Sequence, residues 1–347
     1  MLIEIYCFME SAMKAIVFTD PTLPLTDIHS LYATKLAKPQ PQPRDLLVKI
    51  AAIAVNPVDS KIRQREKPNV PRILGWDACG VVESVGSQVR LFKPGDWVYY
   101  AGSIDRPGCY AEYGLVDERI VGHKPKSLTA VQAAALPLTS ITAWELLFDR
   151  LAVAENGAAG RSILIVGAAG GVGSMLIQLA RQLTKLRVLA TASRPETQQW
   201  VSQLGAHAVI NHKKPFSQQL AALGIQHVDY VASLTHSDDY YQQVLEILIP
   251  QGKLALIDDP KNLDIMPMKR KALSLHWEFM FTRPVFQTKD MIKQHQLLQR
   301  VAGLIDQGIL KTTISEEMGK ISAENLRLAH QRIESGKVWG KLVLAGF

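Results

Sequence analysis

The stretch Ile163-Leu-Ile-Val-Gly167-Ala-Ala-Gly170-Gly171-Val-Gly173-Ser174 decides the fold. Ser162–Val166 is a short apolar run of strand type. Glycines follow it, and Val172, Leu176, Leu179, Ala180 and Leu183 then fall on one helical face. A buried strand therefore passes through a tight turn straight into an amphipathic helix. Glycine has no Cβ, so such a turn brings bare N–H groups against a ligand, and the helix N-terminus adds partial positive charge. A pyrophosphate suits that arrangement, and Gly173 lets the helix lie close on its strand. Ala168 stands where many fingerprints of this type carry their first glycine. A tight turn that binds nothing has the same local pattern; the context on either side argues against it.

Strand and helix signals alternate beyond the turn. Arg187–Thr191 reads as a strand, 196–204 as a helix ended by Gly205, and Ala208–Ile210, 228–232 and 253–257 as further strands. This spacing predicts an α/β domain with a doubly wound parallel sheet. Before it, residues 14–130 are β-rich. Short strands at 46–51 and 80–85 alternate with turn clusters at 39–43, Gly86-Ser87 and Lys93-Pro94-Gly95-Asp96, which suggests a small barrel or sandwich. Ala-rich helical sequence covers 129–136 and 142–151. The mixed segment 283–347 ends in an amphipathic helix, Ala323–Glu334, and a strand, Lys341–Ala345.

Length and composition agree with two domains, since 347 residues is about twice a typical domain. With 47% hydrophobic and 20% charged residues, neither a long disordered chain nor a small disulfide scaffold fits. The net charge of +7 is spread along the chain; it favours anionic ligands without demanding nucleic acid. Lys269-Arg270-Lys271 lacks the interleaved aromatics of a base-stacking platform, so no nucleic-acid partner is expected. Cys7, Cys79 and Cys109 form no CxxC pair, which suits a reducing compartment. No apolar run is read as approaching the roughly 18 residues that cross a bilayer. The start, MLIEIYCFME, has no basic region and is interrupted by Glu4 and Glu10, so it fails as a signal peptide. A cytoplasmic protein without a membrane partner is expected.

The choice of dinucleotide falls about 20 residues after the turn, where an NAD site places an acid to bond the ribose 2′-OH. This chain reads Thr191-Ala-Ser193-Arg194-Pro-Glu196. A hydroxyl followed by a cation suits a 2′-phosphate and predicts NADPH. Ser193 and Glu196 also read as a capping box, which removes Glu196 as a ribose acceptor. The alternative for Arg194 is a solvated arginine.

Further segments carry a resemblance. They are Met13-Lys-Ala-Ile-Val-Phe18, Ala54-Val-Asn56-Pro-Val-Asp59, Leu74-Gly75-Trp76-Asp77-Ala-Cys79-Gly80, Lys93-Pro-Gly95-Asp96-Trp-Val98, Ala134-Ala-Leu-Pro137 with Thr142-Ala-Trp144, and Gly336-Lys-Val-Trp-Gly340-Lys341. With them the chain resembles the medium-chain dehydrogenase/reductase superfamily, and within it the zinc-free quinone oxidoreductase branch. Ser193-Arg-Pro-Glu196, Ser233-Leu-Thr-His236, Leu256-Ile-Asp-Asp-Pro260 and the segment His276 to Arg283 resemble a bacterial subgroup labelled zinc-type alcohol dehydrogenase-like. The resemblance implies a GroES-like β-barrel catalytic domain over 1–140, with 1–12 an extension or an upstream start. It implies a Rossmann NADPH-binding domain over 141–280, and a segment 281–347 that returns to the catalytic domain. It also implies a homodimer formed through edge strands.

Zinc alcohol dehydrogenases of similar layout place a Cys before the acid at Asp59 and a Gly-His-Glu at the Gly75 segment. Here those positions read Asn56-Pro-Val-Asp59 and Gly75-Trp76-Asp77. A catalytic zinc needs three convergent ligands, so no metal is expected, and Cys79 is expected to be a small buried residue. Hydride transfer is then the cofactor's chemistry. Without a Lewis acid, quinones and conjugated enones suit the site, because they spread the incoming charge over a phenolate or enolate.

The resemblance implies a role for each site residue. Gly170, Gly171, Val172 and Gly173 hold the pyrophosphate, while Ser193 and Arg194 face the 2′-phosphate. His212 lies near the adenosine phosphate or is a loop histidine. Ser233, Leu234 and Thr235 line the cofactor. Asp258 approaches the nicotinamide or is a turn acid; Phe281 faces the nicotinamide or packs in the core. Thr142 stands beside the nicotinamide or caps the following helix, and Lys341 contacts the cofactor. Asn56 is the orienting donor near the transferred hydride, and Asp59 holds its loop or caps backbone N–H groups. Ser60-Lys61-Ile62-Arg63 has no tyrosine, which leaves a tyrosine-assisted mechanism without its residue and makes Lys61 or Arg63 the candidates to stabilise an enolate. Two alternatives stay open: a zinc-dependent alcohol dehydrogenase, and an NADPH-binding sensor with little turnover.

Overall fold

Six parallel strands form one sheet in the order Ala208–Ile210, Arg187–Thr191, Ser162–Val166, Val228–Ser233, Leu248–Leu256 and Ser274–Trp277. The protein is described here by a computed structural model over residues 12–347, so residues 1–11 of the expected extension, Cys7 among them, lie outside the described residues. Strands of a parallel sheet are covered on both faces and read as continuous apolar runs, and Ser162–Val166 is buried throughout. The strand order reverses beside Ser162–Val166, which puts the glycine turn at the switch point of the sheet. Leu164, Val166, Leu189, Phe216, Val231 and Leu254 form the core beneath it.

A second sheet of seven strands is built around the long strand Asp45–Val55. That strand pairs antiparallel with Ala78–Val85, with Tyr113–Asp117 and with the closing strand Lys341–Ala345. Three more strands, Tyr32–Ala37, Ala12–Phe18 and Arg72–Ile73, form a smaller sheet. Chain beyond Phe281 belongs to this β-rich unit, as when Tyr99 Oη donates to the Leu298 carbonyl at 2.6 Å. The parallel-sheet unit is Thr139–Met280; the other unit runs through Leu138 and resumes at Phe281–Phe347.

The structure corrects three expectations. Asn56–Asp59 is not in a loop: a helix, Pro57–Arg65, begins there with Pro57 as its first residue. Ala130–Arg150 is helical, and by length and composition alone it is apolar enough to cross a bilayer, contrary to the reading that no run approached that length. It is 78% buried within the protein, as a core helix is. Lys271, finally, is no solvated member of a basic run, because its ammonium donates to the carbonyls of Leu245, Glu246 and Leu248, each at 2.8 Å. Those carbonyls lie at the end of the helix Ser237–Ile247, where a cation is favoured.

Candidate active site

Three strand ends meet at Asn56. In the register of the β-rich sheet, Val55 lies opposite Leu342 and Ile53 opposite Ala78. Asn56, Lys341 and Asp77 therefore follow or precede adjoining strands at one edge. The Lys341 ammonium donates to Asp77 Oδ2 at 2.8 Å, to the Val55 carbonyl at 3.2 Å and to Asn56 Oδ1. An ammonium has three donors, and all three are used. Asn56 Nδ2 donates to Asp77 Oδ2 at 2.9 Å, while its other hydrogen faces Ala54 O at a long 3.5 Å. Asp77 Oδ1 accepts the Leu138 N–H at 2.8 Å. Asn56, Asp77 and Lys341 are 2%, 0% and 3% exposed.

Behind Asn56 the network continues. Asp59, in the first turn of the helix, accepts the Asn56 N–H on Oδ2 at 2.8 Å, one half of a capping box. The same oxygen accepts the Tyr110 hydroxyl at 2.9 Å. Tyr110 Oη lies 3.2 Å from His330 Nε2, and His330 Nδ1 lies 3.0 Å from Ser60 Oγ. All four side chains are buried. Asp59 Oδ1 is buried with no hydrogen-bond partner. Burial pushes the Asp59 carboxyl up to about 7, against the pull of the Asn56 N–H, the Tyr110 hydroxyl and the Lys341 charge. Burial likewise raises Asp77, with Lys341 opposing. His330 is pushed down to about 3 by burial and by the Arg63 guanidinium.

This donor set does not fit a zinc ion. Trp76 stands at the histidine position, and its indole N–H, a donor only, is given to the Ser103 carbonyl at 2.9 Å. The Asn56 carbonyl and the Asp77 carboxylate already hold an ammonium, which repels a dication. Cys79 is buried, with its thiol pushed up to about 12; burial raises the Cys109 thiol too. Among the described residues no group of three or more His, Cys, Asp or Glu could hold a metal.

The glycine turn does fit a dinucleotide. Gly167 has φ +77°, and a Cβ there would lie 2.7 Å from Thr235 Cγ2. A Cβ on Gly173 would stand 2.5 Å from the Ala168 carbonyl oxygen, so this helix lies against the turn as closely as glycine permits. The helix Gly171–Leu183 begins after Gly170, and the N–H groups of Gly171, Val172 and Gly173 have no acceptor within a helix that starts there. A Cβ at Gly170 would meet only Gly167 O, at 3.5 Å, so the approach to those donors is open. Leu234 donates to the Val166 carbonyl at 3.1 Å, which brings Ser233, Leu234 and Thr235 beside the turn. Near it, burial, with the charges of Lys213 and Arg194, holds the His212 imidazole below its usual range. His212 thus lies as a neutral imidazole within reach of the Lys213 and Arg194 charges.

The structure gives several of these residues partners within the protein. The helix after Ser193 starts at Pro195, whose ring fixes φ and which has no N–H to give, so the cap falls on Arg194 and not on Ser193. Thr197 Oγ1 accepts the Arg194 N–H at 3.3 Å, and Glu196 instead lies 3.3 Å from Arg194 Nε. Asp258 accepts the N–H and hydroxyl of Ser237 at 2.8 and 2.5 Å, capping the helix Ser237–Ile247. Ser237 Oγ in turn meets Ser233 Oγ at 2.8 Å. Phe281 packs edge-on against Trp76 in the core of the β-rich unit. Thr142 lies inside the helix Pro137–Trp144, so it caps nothing. Lys341 serves Asn56 and Asp77, and Arg63 turns to the Leu23 carbonyl and Glu334, away from Asn56. The sequence reading missed Asp77 as an ion-pair partner, together with Tyr110, His330 and Ser60. Tyr110 and Asp59 are 51 positions apart, a separation no spacing rule covers.

Comparisons with known proteins agree with this architecture. Residues 42–126 match the alcohol dehydrogenase GroES-like domain, and residues 204–344 match the zinc-binding dehydrogenase family. A zinc-type alcohol dehydrogenase-like protein of Staphylococcus aureus is 41% identical over 336 residues, 96% of this chain and 99% of that protein. The quinone oxidoreductase of Rattus norvegicus is 32% identical, covering 88% of this chain and 90% of its own. The crystal structure of a candidate zinc-dependent alcohol dehydrogenase from Rhizobium etli CFN 42 superposes with a TM-score of 0.94 at 52% identity, covering 97% of this chain and 98% of that one. With a GroES-like unit, a parallel-sheet unit and relatives aligned over nearly its whole length, the chain belongs to the medium-chain dehydrogenase/reductase superfamily and is an oxidoreductase.

Proposed function

We propose that the protein transfers hydride from NADPH to a quinone or an α,β-unsaturated carbonyl without a metal ion. The observation that carries this reading is the Lys341 ammonium, held by Asn56, Asp77 and Val55 at strand ends where zinc enzymes of the superfamily keep metal ligands. Bound NADPH supplies the hydride. The chain's own residues bind, orient and stabilise. Gly171, Val172 and Gly173 offer N–H groups to the pyrophosphate. Arg194, with Lys213, offers positive charge to the 2′-phosphate, which an NAD site with an acid at this position would repel, and His212 offers a neutral imidazole beside them. Ser233, Leu234 and Thr235 line the same end of the sheet.

Asn56 is the donor toward the developing oxyanion. Its carbonyl accepts from an ammonium, which polarises the carboxamide and strengthens the Nδ2 hydrogen that faces the Ala54 carbonyl only at a long 3.5 Å and can turn to a substrate oxygen. One such hydrogen bond in a dry site suffices for an enolate or phenolate, whose charge is already spread. A saturated alkoxide concentrates its charge and needs more. The proposal extends to a homodimer joined at the edge strand Ser274–Trp277, where Trp277 is exposed, and to a cytoplasmic location.

A chelator-treated sample assayed with NADPH and NADH over a panel of quinones, enones and simple alcohols tests this reading. Expected is NADPH-preferring reduction of a quinone or enone that the chelator leaves unchanged. Alcohol oxidation lost on chelation, or one tightly held zinc per chain by elemental analysis, would establish the zinc enzyme instead. Saturable NADPH binding with no turnover on any substrate would favour a sensor.

A further inference from the structure

We infer that Ser60, His330 and Tyr110 form a buried proton wire that ends on Asp59 and sets the charge behind Asn56 and Lys341. The four groups touch in sequence: Ser60 Oγ to His330 Nδ1 at 3.0 Å, His330 Nε2 to Tyr110 Oη at 3.2 Å, and Tyr110 Oη to Asp59 Oδ2 at 2.9 Å. None is more than 4% exposed. The mechanism proposed above uses none of the three.

Donor and acceptor chemistry permits two arrangements of this chain. With Asp59 ionised, every proton points toward it: Ser60 O–H to Nδ1, Nε2–H to Tyr110, Tyr110 O–H to the carboxylate. With Asp59 protonated, every bond reverses: the carboxyl O–H donates to Tyr110, Tyr110 to Nε2, and Nδ1–H to Ser60. The second state holds one proton more. That proton comes from water at the Ser60 end, whose hydroxyl proton passes to Nδ1 and is replaced. The imidazole stays neutral in both states and changes only its tautomer. Its surroundings favour neutrality, since it is buried beside Arg63, which bonds the Leu23 carbonyl and Glu334. Asp59 Oδ1, buried and without a partner, marks a carboxyl whose ionised form is poorly served.

The groups facing Asp59 set the direction of the effect. Lys341, the Asn56 N–H and the Tyr110 hydroxyl favour the carboxylate, while burial and the charge of Asp77 disfavour it. Cys109 is also near and stays a thiol. An ionised Asp59 adds a second negative charge beside Lys341, which weakens the pull of the ammonium on a developing anion. Tyr110 and His330 are therefore positioning residues that act through Asp59. The consequence for turnover rests on the proposed function; the wire itself does not.

The test is ¹⁵N and ¹³C NMR of the full-length protein between pH 5 and 9, following the His330 ring nitrogens and the Asp59 carboxyl. In the unsubstituted protein, His330 should carry its proton on Nε2 at high pH and on Nδ1 at low pH, with one midpoint shared with Asp59. Asp59→Asn should lock the Nε2–H tautomer. Tyr110→Phe should uncouple the tautomer from pH and raise the Asp59 midpoint by about one unit, because a donor to the carboxylate is lost. Ser60→Ala, a milder change, should also stop the tautomer switch. A single His330 tautomer across the range while Asp59 titrates, or an Asp59 that does not titrate there, overturns the wire whatever substrate the enzyme takes. In turnover, kcat should fall as pH rises through the Asp59 midpoint, and Asp59→Asn should flatten that limb. A limb unchanged in Asp59→Asn would remove the link to catalysis.

Discussion

The two units meet the same need, holding charge in place, by opposite means. The parallel-sheet unit presents backbone: N–H groups at a helix start, made approachable by glycines that a Cβ would block. The β-rich unit uses side chains, burying an ammonium, two carboxyls, a carboxamide, a phenol and an imidazole in one network. A backbone site tolerates many side chains nearby as long as its glycines stay. A buried side-chain site depends on every member, because each polar group removed leaves a partner unsatisfied.

The largest effect expected from that contrast is at Lys341. Lys341→Met leaves the Asp77 carboxylate buried without its cation, which should cost about 3–5 kcal/mol in urea unfolding and abolish turnover. Adding Asp77→Asn should recover much of the stability and none of the activity. Next comes Gly173→Val, whose side chain enters the space of the Ala168 backbone. It should cost about 1–3 kcal/mol of stability and lose NADPH binding measured by calorimetry. A Gly173→Val protein that binds NADPH normally would break the distinction between the units. Arg194→Gln should weaken NADPH by about tenfold, the worth of one charge-assisted bond, and leave NADH unchanged.

Smallest is the pH dependence of stability, where two groups of the β-rich unit act in opposite senses. Asp59 has a raised folded value of about 7, so its contribution is full below the ordinary carboxyl value and is lost as pH rises to 7. His330 has a depressed folded value of about 3, so its contribution is present above the ordinary imidazole value and is lost as pH falls toward 3. Denaturant titrations of Asp59→Asn should show a gain over the unsubstituted protein that grows between pH 4 and 7. His330→Gln should show its relative gain below pH 6.

The same contrast explains what the sequence made legible. Strand, turn and helix around Gly167–Gly173 are contiguous, so periodicity and the absence of Cβ atoms were enough to read them. The final helix and strand, Ala323–Glu334 and Lys341–Ala345, were read to the residue because their apolar spacing is regular. The helix at Pro57 was missed. Its short sequence is mostly polar, and its capping box closes through Asn56 and Asp59, which read as a donor near the hydride and a loop acid. Asp258 was legible as a turn acid but not as a cap, since the Ser237 N–H it accepts lies 21 positions earlier. Tyr110 and His330 carried no signal at all, because only strand register and helix packing bring them to Asp59.

Asp77 and Lys341 are 264 positions apart, with the whole parallel-sheet unit encoded between them. At 5–20 residues per second a ribosome takes roughly 13–53 s to cover that interval. Throughout it the β-rich unit holds a carboxylate with no counter-ion and a central strand lacking one neighbour. The glycine-turn unit, by contrast, can complete its own sheet before Lys341 is made. Order of synthesis thus completes the dinucleotide half first and withholds the charge balance of the other half until the strand that delivers the ammonium arrives.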